Sequence, residues 1–352
     1  MRIWKSAGIF GAYYENMLSQ IEGSTIAVVY VFQGDNTSSF QHYDPWKSDV
    51  ISDWLNAIQE LHCMPFILDV RTFAQKALNG TLPHIDYVVN LNAGTKELSV
   101  LGLIPSICSF INVPCIPSNA VSTLVGENKY ISNLLAYALN TIVPKEIEST
   151  DPNGIFRPLN LGSSRGVQKT FPSQNIPSEY LYQEFIPGFD MTIPFMYNPL
   201  SEQVDILPPI MYCPDIIDTK WFLGEKEKDS HIGYKKCPVC ITDEAQKHFL
   251  KLVKAFGINT YCRIDTRVFC KDVNEMKSAA ETKITLERIN FIEINPLPTI
   301  KNSINFHTSF QSIEQDTPLG NCIEMYNSFF PSHSFVGFLL SSSIISYLKA
   351  KH

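Results

Sequence analysis

The sequence has no surplus of positive charge. Its 28 lysines and arginines face 35 aspartates and glutamates, a formal net charge of −7. That balance argues against a general binder of nucleic acid or of anionic membranes, while leaving room for a local basic site. No uninterrupted apolar run is long enough for a bilayer. The most apolar tail, SFVGFLLSSSIISYLK, is short and broken by serines, and reads as a buried C-terminal helix. There is no internal repeat and no low-complexity tract, which removes solenoids and disordered arrays. Nine cysteines are scattered and odd in number, so at least one stays outside any internal pairing. Arg2 and Lys5 precede only a short apolar stretch before Tyr13, Tyr14 and Glu15, so no secretory signal is read and a reducing cytoplasm is expected. CPVC (237–240) has the spacing of half a zinc knuckle, flanked by His231 and His248. No second pair follows, and a structural zinc site needs four ligands.

What is present is a chain of 352 residues, 45% hydrophobic and 18% charged, with length for two or three domains. After an amphipathic segment at 4–20, STIAVVYVF (24–32) is a continuous β-branched run of the kind found in a central parallel strand. A helix is expected from Ser48, a plausible N-cap, to about Leu61, with Val50, Ile51, Trp54, Leu55 and Ile58 at helical spacing. PFILDV (65–70) and YVVNL (87–91) read as two more strands, and strand–helix alternation implies an open α/β sheet. A short strand at VPCI, a Ser/Asn turn and two helices follow, with Lys129 in the second. DPNG (151–154) is a turn; two strands are expected around the next loop, then strand–turn–strand over YLYQEFIPGFDMTIPFM. Residues 213–236 read as a charged, irregular loop. A helix at 243–256 and the strands TYCRIDTRVF and NFIEINPLP complete the core.

Two stretches carry chemistry. FRPLNLGSSRGVQK (156–169) sets two arginines and a lysine around a Gly-Ser-Ser turn. Gly162 and Gly166 let the backbone bend, and successive N–H groups with the Ser163 and Ser164 hydroxyls suit phosphate oxygens. A surface hairpin with basic flanks is the plainer alternative. The second is RID (263–265) with EIN (293–295). Residues i and i+2 share a strand face, so Arg263 with Asp265, and Glu293 with Asn295, point one way, while Ile264, Ile292 and Ile294 point into the core. If the strands are neighbours, two carboxylates, an amide and a guanidinium converge, a donor set for a hard divalent cation such as Mg²⁺; a structural ion pair is the alternative. Pro296 and Pro298 place these carboxylates at the rim of the strand.

RPLNLGSSRGV, YQEFIPGFDMT, YCRIDTRV and FIEINPLP, in that order, resemble the signature blocks of the ATP-grasp superfamily, specifically its D-alanine–D-alanine ligase branch. VPCIPSNAVSTLVGENK resembles that branch's linker, and the likeness covers about residues 24–310. It implies an α/β (α+β) three-domain ATP-grasp fold: an N-terminal open parallel sheet over 1–118 with an extension at 1–23, a central part at 119–192 holding the lid, and a C-terminal part at 193–352 holding the metal site. It implies ATP and two Mg²⁺ ions, with Mn²⁺ as a substitute. Gly162–Gly166 would be the lid, with Ser163 and Ser164 near the transferred group. Lys129 and Arg157 match phosphate contacts, Gln183, Glu184 and Ile186 the adenine hinge, and Asp190 the ribose acid. Asp265, Glu293 and Asn295 match the metal ligands, and Arg263 the residue that steadies the phosphoryl group. Lys226 and Lys228 both lie where the family places a phosphate lysine.

The implied reaction joins a carboxylate to an amine through an acylphosphate, releasing ADP and phosphate, with amino acids or small peptides as partners and room for a homodimer. Such a site is made of metal ligands and cations and needs no Ser-His-Asp set. The departures are on the substrate side. Arg157 stands where the family usually has lysine. No glutamate follows the first strand, only Tyr43 and Asp44, and NLNAGTKEL replaces the family's His-Gly and Gly-Glu-Asp stretch. PTIKNSINFH lacks the usual serine, with Asn302 and Ser303 close by and His307 beyond. Nucleotide residues are kept while amino-acid residues are not, so a substrate other than D-alanine is expected. Another carboxylate, a hydroxy acid, or a non-catalytic nucleotide-binding scaffold are the alternatives.

Overall fold

The computed structural model describes residues 15–31, 48–92, 101–148, 151–162, 164–169, 178–199, 201–207, 209–230, 232–279, 282–298, 300 and 334–350. Near the start, β1 (Thr25–Tyr30) lies between β2 (Met64–Asp69) and β3 (Tyr87–Leu91), and β4 (Cys115–Ile116) completes a parallel sheet of order β2-β1-β3-β4. Ile26, Ala27, Val28 and Val29 are all buried, as are Val88 and Val89. Both faces are covered, and that is why these strands read as unbroken apolar runs. α1 (Ser48–Glu60) covers one face with Val50, Trp54 and Ile58. α2 (Val70–Leu78) and α3 (Leu103–Phe110) cover the other with Phe73, Ile104 and Ile107. Asp69 ends β2 and caps α2, accepting from the Arg71 N–H at 2.9 Å.

In the middle, α4 (Ala120–Glu127) and α5 (Lys129–Ala138) are separated by one residue. Asn128 ends the first helix and caps the second, accepting from the Ile131 N–H at 3.0 Å. Lys129 therefore opens α5, and it is buried. β5 (Gly154–Pro158) pairs antiparallel with β6 (Tyr180–Glu184). The loop expected between two strands instead curls on itself: Arg165 N–H donates to Gly162 O and Val167 N–H to Ser164 O. It returns to β5 only as a bridge between Phe156 and Gln168.

The larger sheet is antiparallel, with order β10-β9-β7-β11-β12 and β8 on the side of β7. Its strands are β7 (Gly188–Asn198), β8 (Gln203–Ile206), β9 (Ile210–Pro214), β10 (Tyr234–Pro238), β11 (Tyr261–Phe269) and β12 (Ile289–Asn295). On one face Met191, Ile193, Met211, Ile264 and Ile294 share a core with Phe249 and Leu252 of α7 (Asp243–Ala255) and Met276 of α8 (Val273–Ala279). The region 213–236 is more ordered than an irregular loop: it holds the end of β9, α6 (Glu225–Ser230) and the start of β10. Neither EKEKDS nor YKKCP has an apolar period. β10 is a charged edge strand, made a strand by its ladder with β9.

The apolar tail is a buried helix, α9 (Phe335–Ala350), packed against α1. Its serines fold inward, Ser343 Oγ donating to Leu339 O at 2.7 Å and Ser346 Oγ to Asn259 O at 2.7 Å. Among the described residues no helix is long and apolar enough to cross a membrane.

Candidate active site

The site is laid out by β11 and β12. Their register sets Asp265 opposite Glu293 and Arg263 opposite Asn295, so the two carboxylates, amide and guanidinium share one face. The ladder then shifts: Thr266 pairs with Phe291, leaving Ile292 as the extra residue of a bulge. Strict alternation puts Ile292 in the core with Ile264 and Ile294. Those two are buried, but Ile292 instead lines a cavity. Its carbonyl accepts from Arg157 Nη2 at 3.1 Å.

Two buried cations from the middle of the chain meet Glu293. Lys129 Nζ lies 3.2 Å and Arg157 Nη2 3.3 Å from Oε2. Lys129 also donates to Leu161 O at 2.6 Å, and Arg157 Nη1 to Gln183 Oε1 at 3.0 Å. Burial works to raise the Glu293 pKa, but Lys129, Arg157 and Lys228 together outweigh it and hold the carboxyl at about 2. Burial lowers the pKa of each of those three cations. Glu293 is thus no rim carboxylate, since its side chain is only 22% exposed. Asp265 is held differently, by Arg263 of its own strand at 3.1 Å and by Thr192 Oγ1, which donates to it at 2.7 Å. Burial opposes the Arg263 charge, yet Asp265, Tyr212 and Glu293 together outweigh it and push that pKa up.

Behind these groups lies a cavity of about 640 Å³, its open mouth included. Its walls are apolar at Ile155, Val167, Ile186, Phe222, Leu223 and Ile292 and charged at Lys129, Arg157, Asp190, Arg267 and Glu293. The hinge after β6 runs along one side. Gln183 and Glu184 side chains are engaged with the framework: Gln183 Nε2 donates to Pro144 O at 2.9 Å, and Glu184 Oε1 accepts from the Lys145 N–H at 2.9 Å. The Ile186 carbonyl accepts from Arg267 Nε at 2.6 Å, while its N–H has no partner among the described residues. Asp190 Oδ2 accepts from Arg267 Nη1 at 2.9 Å and from the Leu223 N–H at 2.7 Å, while Oδ1 has no hydrogen-bond partner among the described residues.

The Gly-Ser-Ser loop lies over the cavity. Ser164 Oγ donates to Leu223 O at 2.9 Å and accepts from Lys228 Nζ at 2.7 Å; Arg165 pairs with Glu225 at 3.5 Å. Positive φ falls at Ser164 (59°) and Gly166 (68°), and Gly166 is also confined, since an added Cβ would lie 2.9 Å from Pro158 Cγ. At Gly162 an added Cβ meets nothing within 4 Å, so the expected need for glycine holds at 166 rather than 162. Of the two candidate lysines, Lys228 turns inward beside Ser164 and Lys226 is exposed. Ser163, Asp44, Asn302 and Ser303 lie outside the described residues, as do Tyr43, His231 and His307.

Among the described residues around this face, the cations Lys129, Arg157, Lys228, Arg263 and Arg267 stand against the carboxylates Asp190, Asp265 and Glu293, with Glu184 also lining the cavity, a positive balance suited to a polyanion. Arg267, unforeseen in the sequence, continues the alternation of Arg263 and Asp265 along β11, and that alternation was its signal. Thr192 had none, because it reaches Asp265 only through the β7–β11 register. Among the described residues no three His, Cys, Asp or Glu side chains group to hold a metal. The all-oxygen pair Asp265 and Glu293, with the Asn295 amide opposite Arg263, fits a hard cation.

No family model matches the sequence, and no curated protein does. Solved structures match in shape. The D-alanine–D-alanine ligase of Bacillus anthracis complexed with ATP is 13% identical, covers 94% of this chain and 99% of its own, and has a TM-score of 0.57. The VanG D-Ala:D-Ser ligase of Enterococcus faecalis is 15% identical over 92% of this chain and 100% of its own, at a TM-score of 0.57. The D-alanyl-alanine synthetase A of Vibrio cholerae is 13% identical over 93% and 99%, at 0.55. At such identity the likeness is one of fold. The chain has the α/β ATP-grasp fold of D-alanine–D-alanine ligases.

Proposed function

We propose that this chain is an ATP-dependent carboxylate–amine ligase that joins amino acids or small peptides through an acylphosphate. The observation that carries this reading is Glu293, held by buried Lys129 and Arg157 and facing Asp265 across two strands, at the end of a cavity whose hinge N–H at Ile186 has no partner among the described residues. Adenine would sit against the hinge, receiving a hydrogen bond from the Ile186 N–H, with a ribose hydroxyl donating to Asp190 Oδ1. Lys129, Arg157 and Lys228 would hold the phosphate chain. Asp265, Glu293 and Asn295 would hold Mg²⁺, which when bound neutralises phosphate oxygens. A bound nucleotide would give the cations now directed at Glu293 anionic partners, which would leave the Glu293 carboxylate able to serve as a metal ligand.

Chemically, a carboxylate oxygen of the first substrate attacks the γ-phosphorus and the bond to ADP breaks. An amine then attacks the acylphosphate carbon and phosphate leaves. Both steps are limited by positioning and charge neutralisation. Arg263, fixed by Asp265, would face the developing charge on the transferred group, and the Gly162–Gly166 loop would keep water from the acylphosphate. Loss of the family's acidic and histidine residues from the N-terminal part favours a first substrate other than D-alanine. The test is release of ADP and phosphate on a panel of D- and L-amino acids, hydroxy acids and dipeptides. Amide product at one ADP per bond is the expected result. ATP-analogue binding with no turnover on any panel member would replace the ligase with a non-catalytic scaffold.

A further inference from the structure

The charged face of the large sheet extends past the proposed nucleotide and metal residues. Register aligns Lys236 of β10 with Tyr212 of β9, Tyr212 with Asp190 of β7, and Asp190 with Arg267 of β11, a row across four strands on one face. Tyr212 is buried, with Thr192 and Arg263 beside it; Tyr234 stands edge-on to it at 5.9 Å, and Trp221 lies 6.2 Å from Tyr234. Lys236 is largely withdrawn from water, and among the described residues no carboxylate pairs with it; the charge acting on it is the like charge of Arg263. Burial, then Arg263, pulls its pKa down to about 8, and burial raises Tyr212 to about 12. A lysine with no carboxylate partner among the described residues, in register with a buried phenol and under the like charge of Arg263, marks a position that an anion would stabilise.

Resting on the ligase reading above, we propose that Lys236 and Tyr212, beside Arg263, bind a substrate carboxylate that is not the one activated, and so set the enzyme's preference for an amino-acid or peptide substrate bearing that second acid. The Lys236 ammonium pairs with the carboxylate and the Tyr212 hydroxyl donates to it, while the Tyr234 and Trp221 rings flank the adjoining carbon skeleton. Two sources share this chemistry: the main-chain carboxylate of the amine substrate, and a side-chain carboxylate on either substrate.

The test is equilibrium binding in the presence of Mg²⁺ and a non-hydrolysable ATP analogue. The probes are matched pairs: each amino acid against its α-carboxamide, and glutamate against glutamine, in D and L forms. In the wild type one class of pair should favour the acid by about tenfold or more, the range of a charge-assisted contact. Lys236→Met should bring that ratio close to one with analogue affinity unchanged, Lys236→Arg should retain most of it, and Tyr212→Phe should reduce it about threefold. The pair that loses its preference identifies the carboxylate. An unchanged ratio in Lys236→Met, or no acid bound by the wild type at millimolar concentration, overturns the proposal. The ligase reading fails separately, by absence of ADP release with an acid that does bind.

Discussion

In the parallel sheet, β1 and β3 carry no charged side chain and bury both faces; in the antiparallel sheet, β11 and β12 bury Ile264 and Ile294 on one face and set Arg263, Asp265, Arg267 and Glu293 on the other, joined by Asp190 of the otherwise buried β7. The first is held by area removed from water, which is indifferent to pH and ligand. The second is held partly by groups that neutralise one another, so its stability is tied to pH and, on the proposed function, to nucleotide. Burial would make Lys129 and Arg157 strong partners for a phosphate under the proposed function, and burial is what makes them depend on Glu293.

Breaking that dependence gives the largest expected effect. Glu293→Gln should lower ADP release by about a thousandfold, the upper range for removing one electrostatic contact of this kind. It should also destabilise the fold by roughly 3 kcal/mol, because two buried cations lose their partner. A non-hydrolysable ATP analogue should restore much of that loss in thermal denaturation. The contrast is Val89→Ala in β3, a fully buried position. A loss of about 2 kcal/mol is expected there, equal with and without nucleotide and across pH 4 to 8, with kcat unchanged.

Acid sharpens the comparison. The folded Glu293 pKa is about 2, against 4.5 ordinarily, so its contribution is fully present above pH 4.5 and disappears as pH falls toward 2. On the order of 2 kcal/mol should be lost in that window, and urea midpoints of Glu293→Gln should fall less steeply over it. The smallest effect is on the loop. Gly166→Val meets both a φ of 68° and the Pro158 ring, and should reduce kcat about tenfold with little change in adenosine affinity. Amide exchange across 164–169 should slow when Mg²⁺ and the analogue are added; equal rates would make the loop an ordinary hairpin.

The apolar sheet was legible because its burial is continuous: TIAVVY and YVVNL announce themselves within a residue or two. Arg263, Asp265, Glu293 and Asn295 were legible as strand-face pairs. The bulge was not, because an added residue breaks the period that sequence reading relies on, and Ile292 was misplaced as a result. Nor was the pairing of Lys129 and Arg157 with Glu293, since more than a hundred residues separate them and only the packed fold brings them together. β10 was missed because its identity comes from its neighbour's hydrogen bonds.

The placing of α9 bears on how the chain reaches its final state. Val336, Leu339, Leu340 and Ile344 share a core with Ile26, Val28 and Trp54, so the first sheet finishes its packing only when a helix about 300 positions further along arrives. Until then Trp54 and its neighbours form an open apolar surface on a half-assembled unit, the kind of intermediate that aggregates or recruits a chaperone. Contacts of such long range also slow the search for the native state, because a large loop must close before they can form. The earliest strands of this protein therefore depend for their full burial on the helix at 335–350.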